Sequence, residues 1–140
     1  MLWPARRSIL AVLAVAACSL PVVGCGSSGD SDQARTVVKD FLSAAAKGDG
    51  TKACAQLAPD ARKLLESQTG ASCDQVVREL GTHTPASQRS QVDQIDPKVT
   101  IHGSTATATY HGVTGSRQER TITLQKTGGQ WKISQLPSSG

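Results

Sequence analysis

Two different spacings of apolar residues divide the chain. Between residues 34 and 80, apolar side chains recur three and four positions apart, which places them on one face of an α-helix. From Gln91 onward they alternate with polar side chains, which is typical of a β-strand with one buried face. The pattern therefore predicts an α+β fold, with N-terminal helices packed on one face of an antiparallel sheet.

The helical part is expected to form four helices of different lengths. Residues 30–32 offer Asp, Ser and Asp as N-cap candidates for the first helix, and Lys47 and Gly48 are expected to end it. Three shorter helices are predicted over residues 51–57, 59–65 and 72–81. The polar residues 81–91 contain Pro85 and are expected to form a loop.

The strand part predicts its own register. Turns at residues 103–104, 114–116 and 128–129 would join four antiparallel strands, and residues 91–95 are a candidate for a short fifth strand. The residues expected to lie opposite each other are Ile101 and Ala106, Val99 and Ala108, Tyr110 and Arg120, Ala108 and Ile122, Ala106 and Leu124, Leu124 and Ile133, and Lys126 and Trp131. All three hairpins then share one apolar face, and a slip of one residue would invert a strand.

The N-terminus follows the pattern of a bacterial export signal. Arg6 and Arg7 precede an apolar run over residues 8–20, and small residues follow it. As a helix this run would rise only about 20 Å, too short to cross a hydrocarbon core of roughly 30 Å. We therefore expect residues 1–24 to direct export, by the general or the twin-arginine route, and then to be removed.

The cysteine that follows is a candidate lipidation site. Val22, Val23 and Gly24 precede Cys25 in the manner of the bacterial lipobox. This resemblance implies that the Cys25 sulfur receives a diacylglycerol, that cleavage follows Gly24, and that a further fatty acid such as palmitate can acylate the new amine. More than one acyl chain suffices for stable anchoring. The alternative is an ordinary cleaved signal that leaves Cys25 as a free thiol.

The mature chain is expected to form one domain on a short linker. Residues 25–31 are small and polar, as in a flexible tether, and residues 32–137 would form the domain. The whole chain has a net charge of +4, which falls to +2 when Arg6 and Arg7 are removed. That charge is too small to indicate a nucleic-acid partner.

Three segments of the domain match a known family pattern. They are residues 37–49 (VVKDFLSAAAKGD), Ala53–Cys54 and residues 130–133 (QWKI). In these segments the chain resembles the nuclear transport factor 2-like superfamily, in particular small secreted lipoproteins of actinobacteria. The resemblance covers roughly residues 32–136. It implies a cone-shaped domain, in which helices close over a curved antiparallel sheet of four or five strands.

Cys54 and Cys73 are the two cysteines that remain in the domain, in an oxidising compartment. Both are predicted on apolar faces of neighbouring helices, so we expect a disulfide, which would stabilise the fold by roughly 3 kcal/mol. A redox pair would favour C-x-x-C spacing, and a zinc site would need further ligands. We therefore expect no metal and no cofactor, and His83, His102 and His111 are expected on the surface.

Enzymes of the resembled superfamily place a carboxylate inside the cone, often with a His or Tyr. The inward sheet positions of this chain carry no Asp, Glu or His. A general base would have to come from Asp40 or Glu66, and helical spacing directs both away from the apolar face. We therefore predict no catalytic residue.

A ligand pocket, if present, is expected inside the cone. Phe41, Tyr110 and Trp131 would line it, with Arg120 at its rim. The sequence thus predicts a non-catalytic binding domain, held by its lipid on the outer face of the cytoplasmic membrane. Its partner would be an envelope protein or a small apolar ligand. The alternatives are an isomerase-like or cyclase-like enzyme of the same fold and a purely structural spacer.

Overall fold

The helices precede the strands, as the two apolar spacings predict. The computed structural model describes residues 27–113 and 118–137. Its elements are α1 (Ser27–Lys47), α2 (Gly50–Ala55), α3 (Pro59–Thr69), α4 (Cys73–His83), α5 (Ala86–Val92), β1 (Lys98–His102), β2 (Thr105–His111), β3 (Glu119–Thr127) and β4 (Gln130–Gln135). Pro59 opens α3, and the Ser72 hydroxyl caps α4 by accepting from Gln75 N–H, both at predicted helix starts.

The four strands form one curved antiparallel sheet in the order β1-β2-β3-β4. Every residue pair predicted from the three turns lies opposite its expected partner, so the predicted register is confirmed. The turn expected at residues 114–116 itself lies outside the described residues. The central apolar positions of the inner face are inaccessible to solvent: Ala106, Ala108, Ile122, Leu124 and Ile133.

Helix α1 covers this inner face and packs against β1, β2 and β4. Its residues Ala34 and Val38 are fully buried. Helices α2, α4 and α5 pack against α1 in turn. The α+β architecture is therefore the predicted one.

The start of α1 differs from the prediction. The segment 27–31, expected to be part of a flexible tether, is helical, and Asp30 lies within α1 instead of capping it. Small polar residues form isolated helices poorly, but tertiary packing overrides this weak preference. Here the Asp30 side chain forms an ion pair with Lys126 on β3.

The segment 81–95 also differs from the prediction. Helix α4 continues through Gly81 to His83, and α5 replaces the expected loop and the candidate fifth strand. The Arg89 guanidinium donates hydrogen bonds to the carbonyls of Thr84 (3.1 Å) and Gly81 (2.8 Å) at the end of α4. These contacts and the packing of α5 on α1 stabilise a helix that has no apolar stripe of its own.

The Cys54–Cys73 disulfide is present and joins α2 to α4, with the two Cα atoms 6.1 Å apart. Two side chains of α3 bind the backbone of the same two residues. Arg62 Nη2 donates to the Cys54 carbonyl (2.6 Å), and Glu66 Oε1 accepts from Cys73 N–H (3.1 Å). The bridge is therefore held on both sides by one helix.

Two glycines allow α1 and α4 to meet closely. Gly48 ends α1 with a φ of +73°, a conformation that favours glycine. Gly81 lies inside α4, where a Cβ atom would overlap the Cα and N atoms of Gly48. The contact between the two helices therefore requires glycine at position 81.

Replacement of Gly81 by Ala should destabilise the domain by about 1–3 kcal/mol, because the new methyl group overlaps backbone and cannot turn away. Gly29→Ala is the matched control: Gly29 is also helical, and a Cβ there meets no atom within 4 Å. The control should be neutral or stabilising by up to about 1 kcal/mol. Urea unfolding of both variants measures the difference, and equal midpoints would contradict the close contact.

Candidate functional site

The residues predicted to share a pocket lie in different places. Tyr110 is opposite Arg120, whereas Trp131 is opposite Lys126, six residues farther along β3. At a strand rise of about 3.3 Å per residue, the two aromatic residues lie about 20 Å apart along the sheet. Phe41 is half-buried and packs against the core between the layers. The structure therefore does not bring the three together in one pocket.

The Tyr110 end of the sheet carries an open cleft of about 500 Å³. It is lined by Gln91, Gln94, Ile95, Asp96, Lys98, Thr109, Tyr110, His111, Gly112, Val113 and Glu119. Burial raises the pKa of the Tyr110 hydroxyl, and the charge of Arg120 offsets part of this rise. Tyr110 is therefore neutral near pH 7, and Arg120 itself is exposed.

The acids considered as general bases serve other roles or face solvent. Asp40 is exposed on α1, and Glu66 binds the backbone of Cys73. At the Tyr110 cleft, His111 and Glu119 are exposed and lie opposite each other on β2 and β3. Within residues 27–113 and 118–137, no side-chain hydrogen bond joins Tyr110 to a carboxylate.

The other end of the sheet holds a cluster that the pattern of residues did not predict. Lys126 Nζ donates to Asp30 Oδ1 (2.6 Å), and Trp131 Nε1 donates more weakly to the same oxygen (3.5 Å). The Lys126 ammonium also lies 5.7 Å from the centre of the Trp131 ring, within the range of a cation–π contact. The hydrogen bond from Lys126 is the main reason that the pKa of Asp30 lies below its usual value.

One residue in the sequence, Lys126, indicated that a charged cluster could form here. Lys126 occupies an inward position beside the apolar centre of the sheet face, where a cation needs a carboxylate partner. The side chains of Lys126 and Asp30 are 30% and 20% exposed, so solvent screens their attraction less than it screens a fully exposed pair. The partner is 96 residues away in sequence, which is why local spacing did not identify it.

A third feature is an apolar groove between α3 and the end of β4, which we call the α3 groove. It has a volume of about 510 Å³ and is lined by Ala61, Leu64, Leu65, Gln68, Ser134, Gln135, Leu136 and Pro137. Leu64 is 56% exposed. Leu64 and Leu65 are adjacent and differ by about 100° around the helix, so they cannot both face the core.

The backbone fixes the segment before α3 against β4, next to the α3 groove. Residues 56–58 form a short parallel bridge to Ile133, with Ile133 N–H donating to Gln56 O (2.8 Å) and Ala58 N–H donating to Ile133 O (2.7 Å). The chain then turns into α3 at Pro59, so the bridge ends where the groove begins. The groove is thus a preformed surface beside the last strand.

The described part of the chain has neither a metal-binding cluster nor a membrane-spanning helix. No three residues among its His, Cys, Asp and Glu side chains are grouped closely enough to hold a metal ion. His83, His102 and His111 are all exposed, as expected. None of the helices described there combines the length and the apolar character needed to cross a membrane.

Comparison with known proteins gives one result. The family model described as "Lipoprotein LpqB, N-terminal domain" matches residues 28–139. No curated protein and no solved structure gives a significant match.

The Asp30–Lys126 contact predicts how stability depends on acid. Because the pKa of Asp30 is lowered in the folded state, its contribution is complete above the ordinary Asp value of about 4 and is lost as the pH falls below it. Asp30→Asn should therefore lower the urea midpoint at pH 6 and flatten its fall toward pH 2. Asp93, whose pKa is lowered by Ser43 and Lys47, contributes with the same sign.

Asp40→Asn is the matched control for this experiment, since Asp40 is an exposed residue of the same helix. It should leave the acid dependence close to that of the parent. An Asp30→Asn variant with the parent's full loss of stability in acid would show that the ion pair does not form.

Proposed function

The chain belongs to the family of the N-terminal domain of lipoprotein LpqB, and from this membership we propose that it is a lipid-anchored protein of the bacterial envelope. Its domain binds a protein partner and catalyses no reaction. The observation that carries the proposal is the position of the family match. The match to a lipoprotein domain begins at residue 28, three residues after Cys25 in the predicted lipobox.

Anchoring is supported by the order of segments in the sequence. The cationic N-terminus, the apolar run and Val22–Val23–Gly24 all precede Cys25, and the domain follows at once. A diacylglycerol on Cys25 would hold the domain on the outer face of the cytoplasmic membrane. The likeness to nuclear transport factor 2-like lipoproteins of actinobacteria is part of the same proposal, supported by α1 packing across the curved sheet.

Binding of a protein is supported by the α3 groove. The groove combines three leucines, an alanine and a proline with Gln68, Ser134 and Gln135, and Leu64 is more than half exposed. Such a partly apolar surface marks interaction sites on soluble domains. A small apolar ligand inside the cone has less support, because Ile122, Leu124 and Val38 fill the space between sheet and α1. A protein segment is therefore the favoured partner.

The absence of catalysis is supported by the surroundings of Tyr110. An isomerase-like or cyclase-like reaction needs a positioned base, and the candidates Asp40 and Glu66 do not line the Tyr110 cleft. The titratable groups that do line it include exposed His111 and Glu119, which water solvates. An isomerase-like or cyclase-like enzyme is therefore only the second candidate function.

Replacement of Cys25 by Ser should release the protein from the membrane, because it removes the only sulfur in the lipobox. Cells expressing the parent and the variant are fed labelled palmitate and fractionated. The parent is expected in the membrane fraction with label, and the variant without label and outside that fraction. Cys18→Ser is the matched control: Cys18 lies in the predicted signal peptide, so this change should preserve both properties.

Membrane retention and labelling of the Cys25→Ser variant at the level of the Cys18→Ser control would disprove the lipid anchor. Loss of both properties in the two variants alike would instead indicate a general failure of export.

A photo-crosslinking amino acid at Leu64 should give a protein adduct in intact cells, because this side chain projects from the α3 groove. The same amino acid at Lys63, which is exposed one position earlier on α3 but lies outside the groove lining, is the control. The adduct should appear only from position 64. Absence of any adduct, or identical adducts from both positions, would contradict binding in this groove.

A further inference from the structure

The start of α1 is fixed to one end of the sheet. Asp30 is one helical turn from Ser27, where the helix begins, and it binds both Lys126 and Trp131. These two residues flank the Gly128–Gly129 turn that joins β3 to β4. The first described turn of α1 therefore lies beside this hairpin turn.

The turn between β1 and β2 lies at the same end. The Lys126 N–H donates to the Ser104 carbonyl (2.7 Å), and the Gln125 amide donates to the Ser104 hydroxyl (3.2 Å). We call this region, formed by the turns 103–104 and 128–129 and the start of α1, the turn end. The Tyr110 cleft lies at the opposite end of the strands.

The covalent chain between the lipidation site and the turn end is very short. Cys25 precedes Ser27 by two residues, and a peptide chain of that length spans at most about 7 Å. The sheet is longer than this link, since Thr121 and Thr127 on β3 are about 20 Å apart at the usual strand rise. So short a link keeps the start of α1, and with it the turn end, close to the lipid surface.

We propose, on the basis of the lipidated Cys25 of the proposed function, that the turn end rests on the headgroups of the bilayer and that the Tyr110 cleft faces away from it. The α3 groove lies toward the far side as well, because β4 begins at the turn end with Gln130 and runs away from it to Gln135 and Leu136. The α3 groove is thereby presented to a partner outside the membrane.

The chemistry of the turn end suits contact without insertion. One turn is the Gly–Ser pair 103–104, and the other is the Gly–Gly pair 128–129. The adjoining Thr127 and Gln130 are exposed and neutral. The nearby cation Lys126 is already paired with Asp30. The surface therefore supplies no apolar wedge and little free charge, so the lipid anchor sets the orientation and headgroup charge does not.

The orientation is tested with an environment-sensitive fluorescent amino acid placed at Thr127 or at Thr121. Both are exposed threonines on the same strand and the same face of the sheet, and they differ in distance from the turn end. Full-length lipidated protein is purified from cells and reconstituted into phosphatidylcholine vesicles that contain headgroup spin-labelled phosphatidylcholine. Quenching at position 127 is expected to be several-fold stronger than at position 121.

The outcomes separate this orientation from the anchor itself. Flotation of the lipidated protein with vesicles, with equal quenching at the two positions or stronger quenching at 121, would overturn the orientation and leave the anchor intact. Failure of the protein to float would overturn the anchor, and the orientation with it. The unlipidated Cys25→Ser protein should neither float nor be quenched, even when phosphatidylglycerol is added to the vesicles.

Discussion

A core built largely from small side chains is the constraint on which this structure depends. Alanine occupies many of the positions where layers meet, including Ala34 on α1 and Ala106 and Ala108 on β2, all fully buried. Small side chains fill space only if the backbones approach closely. Close approach explains why glycine is needed at position 81, and why Gly50 faces the backbone of Asp74 with no room for a Cβ atom. Small side chains bury little apolar area, so hydrophobic burial stabilises this fold only modestly. The disulfide between α2 and α4 adds further stability.

The basic side chains of the domain serve its backbone more than its surface chemistry. Four of them donate to carbonyl groups at the ends of elements: Arg35 to Pro97, Arg62 to Cys54, Arg89 to Gly81 and Lys132 to Ala55. The last carbonyls of a helix lack partners within the helix, so such donors replace the missing hydrogen bonds. Each donor ties a segment to a neighbour that is distant in sequence or in the next helix.

The parts of the fold that follow from alternation were predictable, and those that follow from distant contacts were not. The sheet register could be read from the sequence because one misplaced residue would have turned Ile122 or Leu124 to solvent. Helix α5 was missed because Arg89 and the surface of α1 stabilise it, and neither is visible in local spacing. The α3 groove was not predicted because it forms between Leu64 on α3 and Leu136 after β4, which are far apart in the sequence. The separation of Tyr110 from Trp131, in contrast, was already contained in the predicted register.

The contact of the first helix with the last hairpin has a consequence for the order of folding. Asp30 finds its hydrogen-bond partners 96 and 101 residues later, and Leu57 pairs with Ile133. Contacts between such distant positions are costly to close and slow to form. During synthesis, the start of α1 gains its partner Lys126 only when β3 has been made. The edge beside Leu57 gains its neighbour Ile133 only with β4, so the native contacts between the two layers are complete only after the final strand.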